Sequence, residues 1–426
     1  MSYPPAPFVI VALMLLLGLA GCQEGRPTPS GSAVLPASPI ARSSERTELL
    51  KQSWDAYRQR FIQTDGRVID WEAEGRSTSE GQGYAMLRAV LMDDADTFAR
   101  TLEWAERNLR RQTAGKPSDS LWAWKWGQTP RKTWDVLDRN FASDGDIDAI
   151  TALILASRRW NRPEYLQLAQ TKLRDLWTLS TVAVGDRRYL LPGPREAFQQ
   201  GVTLTLNPSY QAPYAFRMFA QVDSRDWLSL VSSSYEVLER SSVLSTVKLP
   251  SDWIALDLLT KRYSVLPESS SLRSQYSFDA YRVWWRVALD AAWFDAPEAK
   301  TYLQRHLGYL RELWRSQQRI PARLTLQGKP TVPYEALSQY GVLYTAFQTI
   351  DPVVAEQIYQ QKLAPAYREG IWENPSAYYT QNLVWFGLVP PTALSPRLLH
   401  PNTATQRPGH DSSITQLYRS LITATP

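Results

Sequence analysis

Three segments of the chain could supply carboxylic acids for acid–base chemistry. The first is Thr78-Ser-Glu80-Gly-Gln-Gly-Tyr84, in which Thr78 or Ser79 can cap the helix that follows and place Glu80 at its mouth. We expect the two glycines to leave room for a ligand beside the backbone. They do not form a dinucleotide fingerprint, because no predicted strand precedes them and the third glycine is missing. The alternative is a surface glutamate that the helix N-terminus stabilises.

The second acidic segment is Ala142-Ser-Asp144-Gly-Asp146-Ile-Asp148, whose alternating aspartates suggest a calcium loop. A loop of the EF-hand type needs Gly at its sixth position and Glu at its twelfth. Counted from Asp144, these positions hold Ala149 and Leu155, so we reject that interpretation. The remaining prediction is a tight turn that leads into a helix, with Asp144 at the N-cap or just before it. A purely structural cap is the alternative.

A third segment, Phe278-Asp279-Ala-Tyr-Arg282, joins a carboxylate to a cation. Asp279 and Arg282 are three residues apart, so on a helix they share one face and can pair. An arginine beside a carboxylate favours the ionised form, which a general base requires. A structural ion pair is the alternative.

The segment Leu121-Trp122-Ala-Trp124-Lys-Trp126 carries three indoles at every second residue. If this segment is extended, the three rings lie on one side of it. Indole faces can stack on the C–H faces of sugar rings, which would suit a carbohydrate cleft. Core packing is the alternative for one or two of the three.

The composition of the 426 residues excludes several classes of protein. Lys plus Arg minus Asp plus Glu is 47 − 42 = +5, with 21% charged residues, which is typical of a folded chain and not of a disordered one. No dense Lys/Arg run is present, so we expect no nucleic-acid partner. Three His and one Cys are too few for a typical zinc cluster or disulfide framework, and only His306 lies in a predicted helix.

The N-terminal residues are typical of an export signal. A continuous apolar run from Phe8 to Gly21 is short for a membrane span but suits a signal peptide. It leads into Cys22, the only cysteine, in a context that resembles a bacterial lipobox. We therefore predict a lipoprotein-type signal over residues 1–22, lipidation at Cys22, and a flexible tether rich in Pro, Ser and Gly over residues 23–43. The predicted location is the periplasm, with an anchor in the outer membrane. Ordinary signal cleavage beside an incidental cysteine is the alternative.

The rest of the chain has mainly helical periodicity. One domain is predicted over residues 44–392, followed by a C-terminal tail over residues 393–426. The clearest strand-like stretch is Gln199–Leu206. The predicted helices are Ser44–Phe61, Tyr84–Leu91, Asp96–Leu109, Asp146–Trp160, Glu164–Trp177, Tyr210–Ala220, Arg225–Leu238, Phe278–Trp293, Glu298–Trp314, Glu335–Phe347, Val353–Leu363 and Tyr379–Leu388.

These segments together resemble glycoside hydrolase family 8, nearest to its endoglucanases that are encoded with bacterial cellulose synthases. The resemblance runs from about Ser53 to Leu388 and implies an all-α fold, an (α/α)6 barrel. The stretches that carry it are Gly66–Asp70, Thr78–Met86, Trp124–Gly127, Trp134–Asp138, Ala142–Asp146, Leu190–Gly193, Leu206–Tyr210, Ser251–Trp253, Phe278–Arg282 and Tyr378–Tyr379.

The resemblance also implies roles for individual residues. Glu80 matches the general acid and Asp279 the general base of an enzyme that inverts stereochemistry. A helix N-terminus favours ionised Glu80, whereas a general acid must be protonated. We therefore expect a nearby carboxylate such as Asp144 to raise the pKa of Glu80. The residues that match substrate-binding positions are Asp144, Trp124, Tyr210, Arg282 and Tyr378. No metal or organic cofactor is implied.

The expected substrate is β-1,4-glucan, and a cellulose synthase complex is an expected partner. Two alternatives stay open. One is the same fold acting on mixed-linkage glucan, xylan or chitosan. The other is a non-catalytic lipoprotein that binds polysaccharide or acts as a scaffold.

Overall fold

The computed structural model describes residues 39–390 and 393–400. Predicted features at Cys22 and in the rest of residues 1–38 lie outside these ranges, as do residues 401–426. Residues from Ser44 onward cluster in one unit, and the packing of the barrel lies within it. The α-helices of the described residues are α1 (Pro39–Phe61), α2 (Ser79–Leu91), α3 (Ala95–Asn108), α4 (Ser143–Trp160), α5 (Pro163–Ser180), α6 (Arg195–Phe198), α7 (Pro213–Phe219), α8 (Trp227–Val243), α9 (Phe278–Phe294), α10 (Pro297–His306), α11 (Gly308–Gln317), α12 (Leu337–Ile350), α13 (Pro352–Ile358), α14 (Tyr378–Leu388) and α15 (Pro396–Leu399).

The helices form two concentric rings. In the inner ring, α2, α4, α7, α9, α12 and α14 each contact the next, and α14 contacts α2. Helices α3, α5, α8, α10 and α13 pack outside the inner helix that precedes each of them. Helix α1 packs against α14, where the indole of Trp385 donates to the carbonyl of Leu50 at 3.0 Å. The inner helices are buried on nearly every side, and small, aliphatic and aromatic residues account for most of their buried positions. The predicted (α/α)6 barrel is confirmed.

Because an outer helix carries the chain back after each inner one, the inner helices all point the same way. Their N-termini therefore meet at one end of the barrel. The residues at the beginning of an inner helix, or just before it, are brought together there although they are far apart in the sequence.

Glycines allow α2 and α4 to approach closely. A Cβ on Gly145 would lie 2.7 Å from Ser79 Oγ and 2.9 Å from Glu80 N, and a Cβ on Gly83 would lie 3.0 Å from the Gly145 carbonyl oxygen. The expectation that the glycines after Glu80 make room for a ligand is therefore wrong for Gly83. This glycine makes room for a neighbouring helix.

Short strands line the end of the barrel where the inner helices begin. One sheet has the order β1-β3-β2, with β4 also paired to β3, and β1 and β4 lead into α2 and α4. A second sheet has the order β10-β9-β8-β7, and two hairpins pair β5 with β6 and β11 with β12. The strands are β1 (Ser77–Thr78), β2 (Arg110–Thr113), β3 (Lys116–Gln128), β4 (Trp134–Phe141), β5 (Thr181–Val184), β6 (Arg187–Leu190), β7 (Gln199–Gln200), β8 (Thr203–Leu206), β9 (Ile254–Asp257), β10 (Tyr263–Ser264), β11 (Tyr367–Arg368) and β12 (Ile371–Trp372).

Several predicted elements differ from the structure. The helix predicted over Val353–Leu363 is α-helical only as far as Ile358, and Tyr359–Leu363 form a π-helix. The strand-like stretch Gln199–Leu206 is a hairpin of β7 and β8, which turns at Gly201 with φ +57°. The single helix predicted over Glu298–Trp314 is two helices, α10 and α11, which meet at Leu307.

The described part of the predicted C-terminal tail packs on the barrel. Leu398 and Leu399 are buried, Arg158 of α4 donates to the Leu398 carbonyl at 2.6 Å, and the ring of His400 lies against Phe294 of α9. Within residues 39–390 and 393–400, no helix has the length and apolar character needed to cross a membrane.

Candidate active site

An open cleft lies where the inner helices begin, and it gathers every site residue that the sequence predicts between Glu80 and Tyr378. Glu80 and Asp144 are the second residues of α2 and α4, Asp279 is the second residue of α9, and Tyr378 is the first residue of α14. The cleft is lined by Arg76, Thr78, Ser79, Glu80, Trp124, Ala142, Asp144, Tyr210, Asp279, Arg282 and Tyr378.

Arg282 is the centre of the cluster. Its Nη1 donates to Oε2 of Glu80 and, at 2.9 Å, to Oδ2 of Asp144. Its Nη2 donates to Oδ1 of Asp279 at 2.5 Å and to the hydroxyl of Ser209 at 3.1 Å. Three carboxylates from three helices therefore surround one guanidinium. The predicted pairing of Asp279 with Arg282 is present, and Arg282 also reaches the other two carboxylates, which the sequence did not indicate.

Exposure separates the carboxylates that reach the cleft from the groups that hold them. The side chains of Asp144 and Arg282 are each 3% exposed, whereas those of Glu80 and Asp279 are 18% and 33% exposed. Glu80 and Asp279 can therefore meet a ligand in the cleft, while Asp144 and Arg282 form its floor.

The N-terminus of α2 places Glu80. The hydroxyl of Thr78 accepts from the backbone N–H of Gly81 at 3.0 Å and so caps the helix, as predicted. Oε1 of Glu80 accepts from the hydroxyl of Tyr378 at 2.7 Å. Burial is the main cause that raises the pKa of Glu80 to about 7. The charge of Arg282 lowers this pKa, and the charge of Asp144 raises it, as expected. A carboxyl with this pKa holds a proton near neutral pH and can donate it.

Asp279 lies across the guanidinium from Glu80 and has a second donor. The indole N–H of Trp253 donates to its Oδ2 at 3.0 Å. Burial raises the pKa of Asp279 above its usual value, while Arg282 and the indole act in the opposite direction. The expected effect of Arg282 is therefore present, but burial outweighs it.

Asp252 supports the beginning of α9. Its Oδ1 accepts from the backbone N–H groups of Ser277 at 3.1 Å and Ala280 at 2.9 Å, and so performs the role of a helix cap. Burial, with the nearby charge of Asp279, raises the pKa of Asp252 to about 7.

The alternating aspartates of α4 point to different places. Ala142 is the N-cap of this helix and Asp144 its second residue, so the predicted position of Asp144 at or before the cap is wrong. Asp146 lies on another face, where it accepts from the backbone N–H of Trp122 at 3.2 Å, and Asp148 pairs with Arg286 deeper in the barrel. Within the described residues, no group of three or more His, Cys, Asp or Glu is arranged to hold a metal ion.

Of the three indoles on β3, Trp124 lines the cleft. The segment is extended, but the register with β4 shifts on both sides of Lys125, which breaks the simple alternation. Trp122 is fully buried and donates to Glu106 at 2.9 Å, and Trp126 packs edge-on against Trp104. The expectation that all three rings share one side is wrong, because Trp122 and Trp126 both contact residues of α3 whereas Trp124 lines the cleft.

The remaining predicted residues also lie at the cleft. The guanidinium carbon of Arg282 lies 5.2 Å from the centre of the Tyr210 ring, and Tyr378 binds Glu80. His306 lies elsewhere, in α10, where its ring bonds to Glu239 and to the carbonyl of Lys248.

Sequence reasoning assigned no role to Ser209, Asp252 and Trp253, which hold Arg282 or Asp279 in place. All three lie in stretches that carry the family resemblance, Leu206–Tyr210 and Ser251–Trp253. The resemblance of these stretches to the family was therefore the one signal that could have pointed to the three residues. Their role as supports of Arg282 and Asp279 could not be predicted without knowing that they face α9.

Comparison with known proteins identifies the family. Residues 32–389 match the model of Glycosyl hydrolases family 8. The chain belongs to this family. An endoglucanase of Xanthomonas axonopodis pv. citri (strain 306) is 36% identical over 264 residues, which cover 61% of this chain and 65% of that protein. The matched segment thus spans slightly less than two thirds of the relative.

Solved structures of endoglucanases have the same fold. The endo-1,4-D-glucanase of Vibrio fischeri ES114 superposes with a TM-score of 0.66 at 26% identity, over 79% of this chain and 93% of that one. The endo-beta-1,4-glucanase CMCax of Acetobacter xylinum gives 0.64 at 25% identity, over 80% and 98%. The family 8 assignment thus rests on the sequence and on the fold.

Proposed function

We propose that this family 8 chain is an endo-acting hydrolase that cleaves β-1,4-glucan with inversion of configuration. The observation that carries the proposal is the pair of partly exposed carboxyls, Glu80 and Asp279, on opposite sides of the Arg282 guanidinium in an open cleft. Inverting glycosidases use two carboxyl groups, one as general acid and one as general base. The endoglucanase relatives named above favour glucan as the substrate.

The different surroundings of the two carboxyls suit them to different roles. Glu80, with a pKa of about 7, donates its proton to the oxygen of the leaving sugar. Asp279 accepts a proton from the attacking water on the opposite face of the sugar ring. Arg282 and the indole of Trp253 favour the ionised form of Asp279, which a base needs. Once Glu80 has given up its proton, Arg282 is already placed to stabilise the new carboxylate.

The other cleft residues would bind the polymer. We assign Asp144 to the sugar at the cleavage point, because it lines the floor of the cleft beside Glu80, is held there by Arg282 and matches the family position with this role. Trp124 offers an indole face, and Tyr210 and Tyr378 offer rings and hydroxyls on two further sides. Such aromatic side chains present an apolar face and a polar group together, as a sugar ring does.

A substrate panel tests the activity. The purified protein is incubated with carboxymethyl cellulose, lichenan, xylan and chitosan, and reducing ends and viscosity are followed. We expect reducing ends from carboxymethyl cellulose with an early drop in viscosity, because an endo-acting enzyme cuts inside the chain. Release from another polymer alone would assign the same cleft to that polymer. No hydrolysis of any of the four polymers would favour the non-catalytic scaffold.

We further propose that the chain is exported and held to the outer membrane by a lipid on Cys22, with the cleft in the periplasm. The apolar run ending at the sole cysteine supports this proposal. Incorporation of labelled palmitate in wild type but not in Cys22→Ser is the expected result. Equal labelling of both, or of neither, would contradict it.

A role in cellulose synthesis is proposed from the resemblance to endoglucanases encoded with cellulose synthases. The test is co-purification of the full chain with the cellulose synthase of the same cell, and a cellulose synthase gene beside this one would add support. A chain that does not co-purify and that supports growth on glucan would instead have a degradative role.

A further inference from the structure

A second Arg–Asp pair lies inside the barrel, one helical turn below the cleft. Arg286 follows Arg282 by four residues on α9, and Asp148 follows Asp144 by four residues on α4, so each second residue lies under the first. Arg286 binds Asp148 with both Nη atoms, at 2.8 Å and 2.9 Å. Both side chains are fully buried, so a polysaccharide in the cleft cannot reach them.

A tyrosine of a third inner helix completes this lower pair. The hydroxyl of Tyr214, on α7, accepts from Nη1 of Arg286 at 3.0 Å and donates to Oδ1 of Asp148 at 3.3 Å. Helix α7 contacts both α4 and α9 in the inner ring. The lower pair therefore links three inner helices at one level of the barrel.

Stability alone is a weak reason for such a pair. Removing two charges from water is expensive, and replacement of a buried ion pair by apolar side chains of similar volume is often neutral or stabilising. The bidentate bond instead fixes the position of α9 relative to α4, because both Nη atoms of Arg286 and both carboxylate oxygens of Asp148 take part in it.

The pair of Arg282 and Asp144, at the floor of the cleft, is poorly suited to fix the position of α9 relative to α4 during turnover. Arg282 divides its Nη1 between Asp144 and Glu80, and a general acid changes its charge in every cycle. Its Nη2 is divided between Asp279 and Ser209. The partners of Arg282 thus change strength as the reaction proceeds, whereas those of Arg286 do not.

We propose that Arg286, Asp148 and Tyr214 form a positioning element that sets the height of α9 relative to α4 and so keeps Arg282 between Glu80, Asp144 and Asp279. The inference rests on the proposed function. It assigns no contact with substrate to these three residues. It predicts that their loss misplaces the carboxyls of the cleft without unfolding the barrel.

The test is the double variant Asp148→Leu/Arg286→Met in the full chain, which removes both charges and keeps most of the volume. We expect a folded protein by circular dichroism, with kcat on carboxymethyl cellulose lower by roughly 10- to 100-fold and KM little changed, because small misplacements of catalytic groups have effects of this order. The basic limb of the pH profile of kcat/KM should move to higher pH, because Arg282 lowers the pKa of Glu80 and would be displaced.

The same helix offers a matched control. Asp290, one turn below Arg286, accepts from Nε of Arg217 at 2.9 Å and from the hydroxyl of Tyr235 at 2.6 Å, so it is also an Arg–Asp–Tyr cluster that links α7, α8 and α9. It lies two turns from Arg282 and does not involve α4. The variant Arg217→Met/Asp290→Leu should keep the wild-type kcat and pH profile, whatever its change in thermal stability.

Arg286→Lys keeps the charge but loses the two-pronged bond, so it provides a milder second variant if the double variant does not fold. We expect it to fold and to lower kcat by about tenfold. Wild-type kcat and pH profile in a folded double variant, or in Arg286→Lys, would overturn the inference and leave the proposed function standing. Equal losses in the control variant would also overturn it. No hydrolysis by the wild-type chain would overturn both.

Discussion

Arg282 and Asp279 lie three residues apart on α9 and are joined by a bond of 2.5 Å from Nη2 to Oδ1. The other half of the same guanidinium binds Glu80 and Asp144. A change of charge at any one carboxyl is therefore felt by the other two through one arginine. Substitutions in the cleft should act on the rate and on its pH dependence through this coupling.

Glu80→Gln should abolish most of the activity. An amide has no proton to donate, and general acid catalysis contributes about 10²- to 10⁴-fold. We expect kcat on carboxymethyl cellulose to fall by that order, with little change in thermal stability. Glu103→Gln, at an exposed position of α3, is the matched control and should retain full activity. Near wild-type kcat in Glu80→Gln would remove this residue from the mechanism.

Asp279→Asn should be about as inactive, because the amide cannot accept a proton from the attacking water. Asp295→Asn is the control, since Asp295 caps the other end of α9 and its side chain is 88% exposed. The measurement is kcat from initial rates for both variants. If Asp279→Asn and Asp295→Asn have the same kcat, another group is the base.

The pH profile of kcat/KM should show a basic limb near pH 7. Glu80 must be protonated to act as an acid, and its pKa is raised to about 7, so the active fraction falls as the pH rises through this value. Rates in a series of buffers at constant ionic strength will show the limb. Activity that stays constant to about pH 9, well above this pKa, would contradict the assignment.

Tyr378→Phe should move that limb to higher pH. The tyrosine hydroxyl donates to Oε1 of Glu80 and lowers its pKa, so loss of the hydroxyl favours the protonated form. The limb is measured in the same buffer series, and KM should also rise if the hydroxyl touches sugar. A shift to lower pH would show that the hydroxyl does not stabilise the carboxylate.

Asp144→Asn should move the limb in the opposite direction. Its negative charge raises the pKa of Glu80, so the amide variant should lose proton-donating activity at a lower pH than wild type. The overall rate should also fall, because we assign Asp144 to the sugar at the cleavage point. Shifts of the same sign in Tyr378→Phe and Asp144→Asn would contradict these electrostatic roles.

The periodicity of the chain predicted helices, while the resemblance to family 8 supplied the barrel and the roles of the carboxyls. Glu80, Asp144 and Asp279 each stand at the beginning of a helix, which was the local signal for their position. The spacing of Asp279 and Arg282 was enough to predict their bond.

Contacts between distant segments could not be predicted in this way. Nothing local shows that Arg282 reaches Glu80, that Trp253 donates to Asp279, or that Asp252 caps α9. The shared side of the three indoles was expected only if their segment was extended. The segment is the strand β3, but its shift in register beside Lys125 depends on β4, so the separate directions of Trp122 and Trp124 were missed. Gly83 and Gly145 were read as space for a ligand or as part of a turn, because the approach of α2 to α4 is a tertiary feature.

The most direct test of the central claim is the configuration of the first product. Proton NMR during hydrolysis of a soluble cello-oligosaccharide distinguishes the two anomers before they interconvert. A general acid at Glu80 and a general base at Asp279, acting from opposite faces of the sugar, predict that the α-anomer forms first from a β-linked chain. The β-anomer forming first would mean that a carboxylate attacks the sugar directly, and would contradict the roles of Glu80 as general acid and Asp279 as general base.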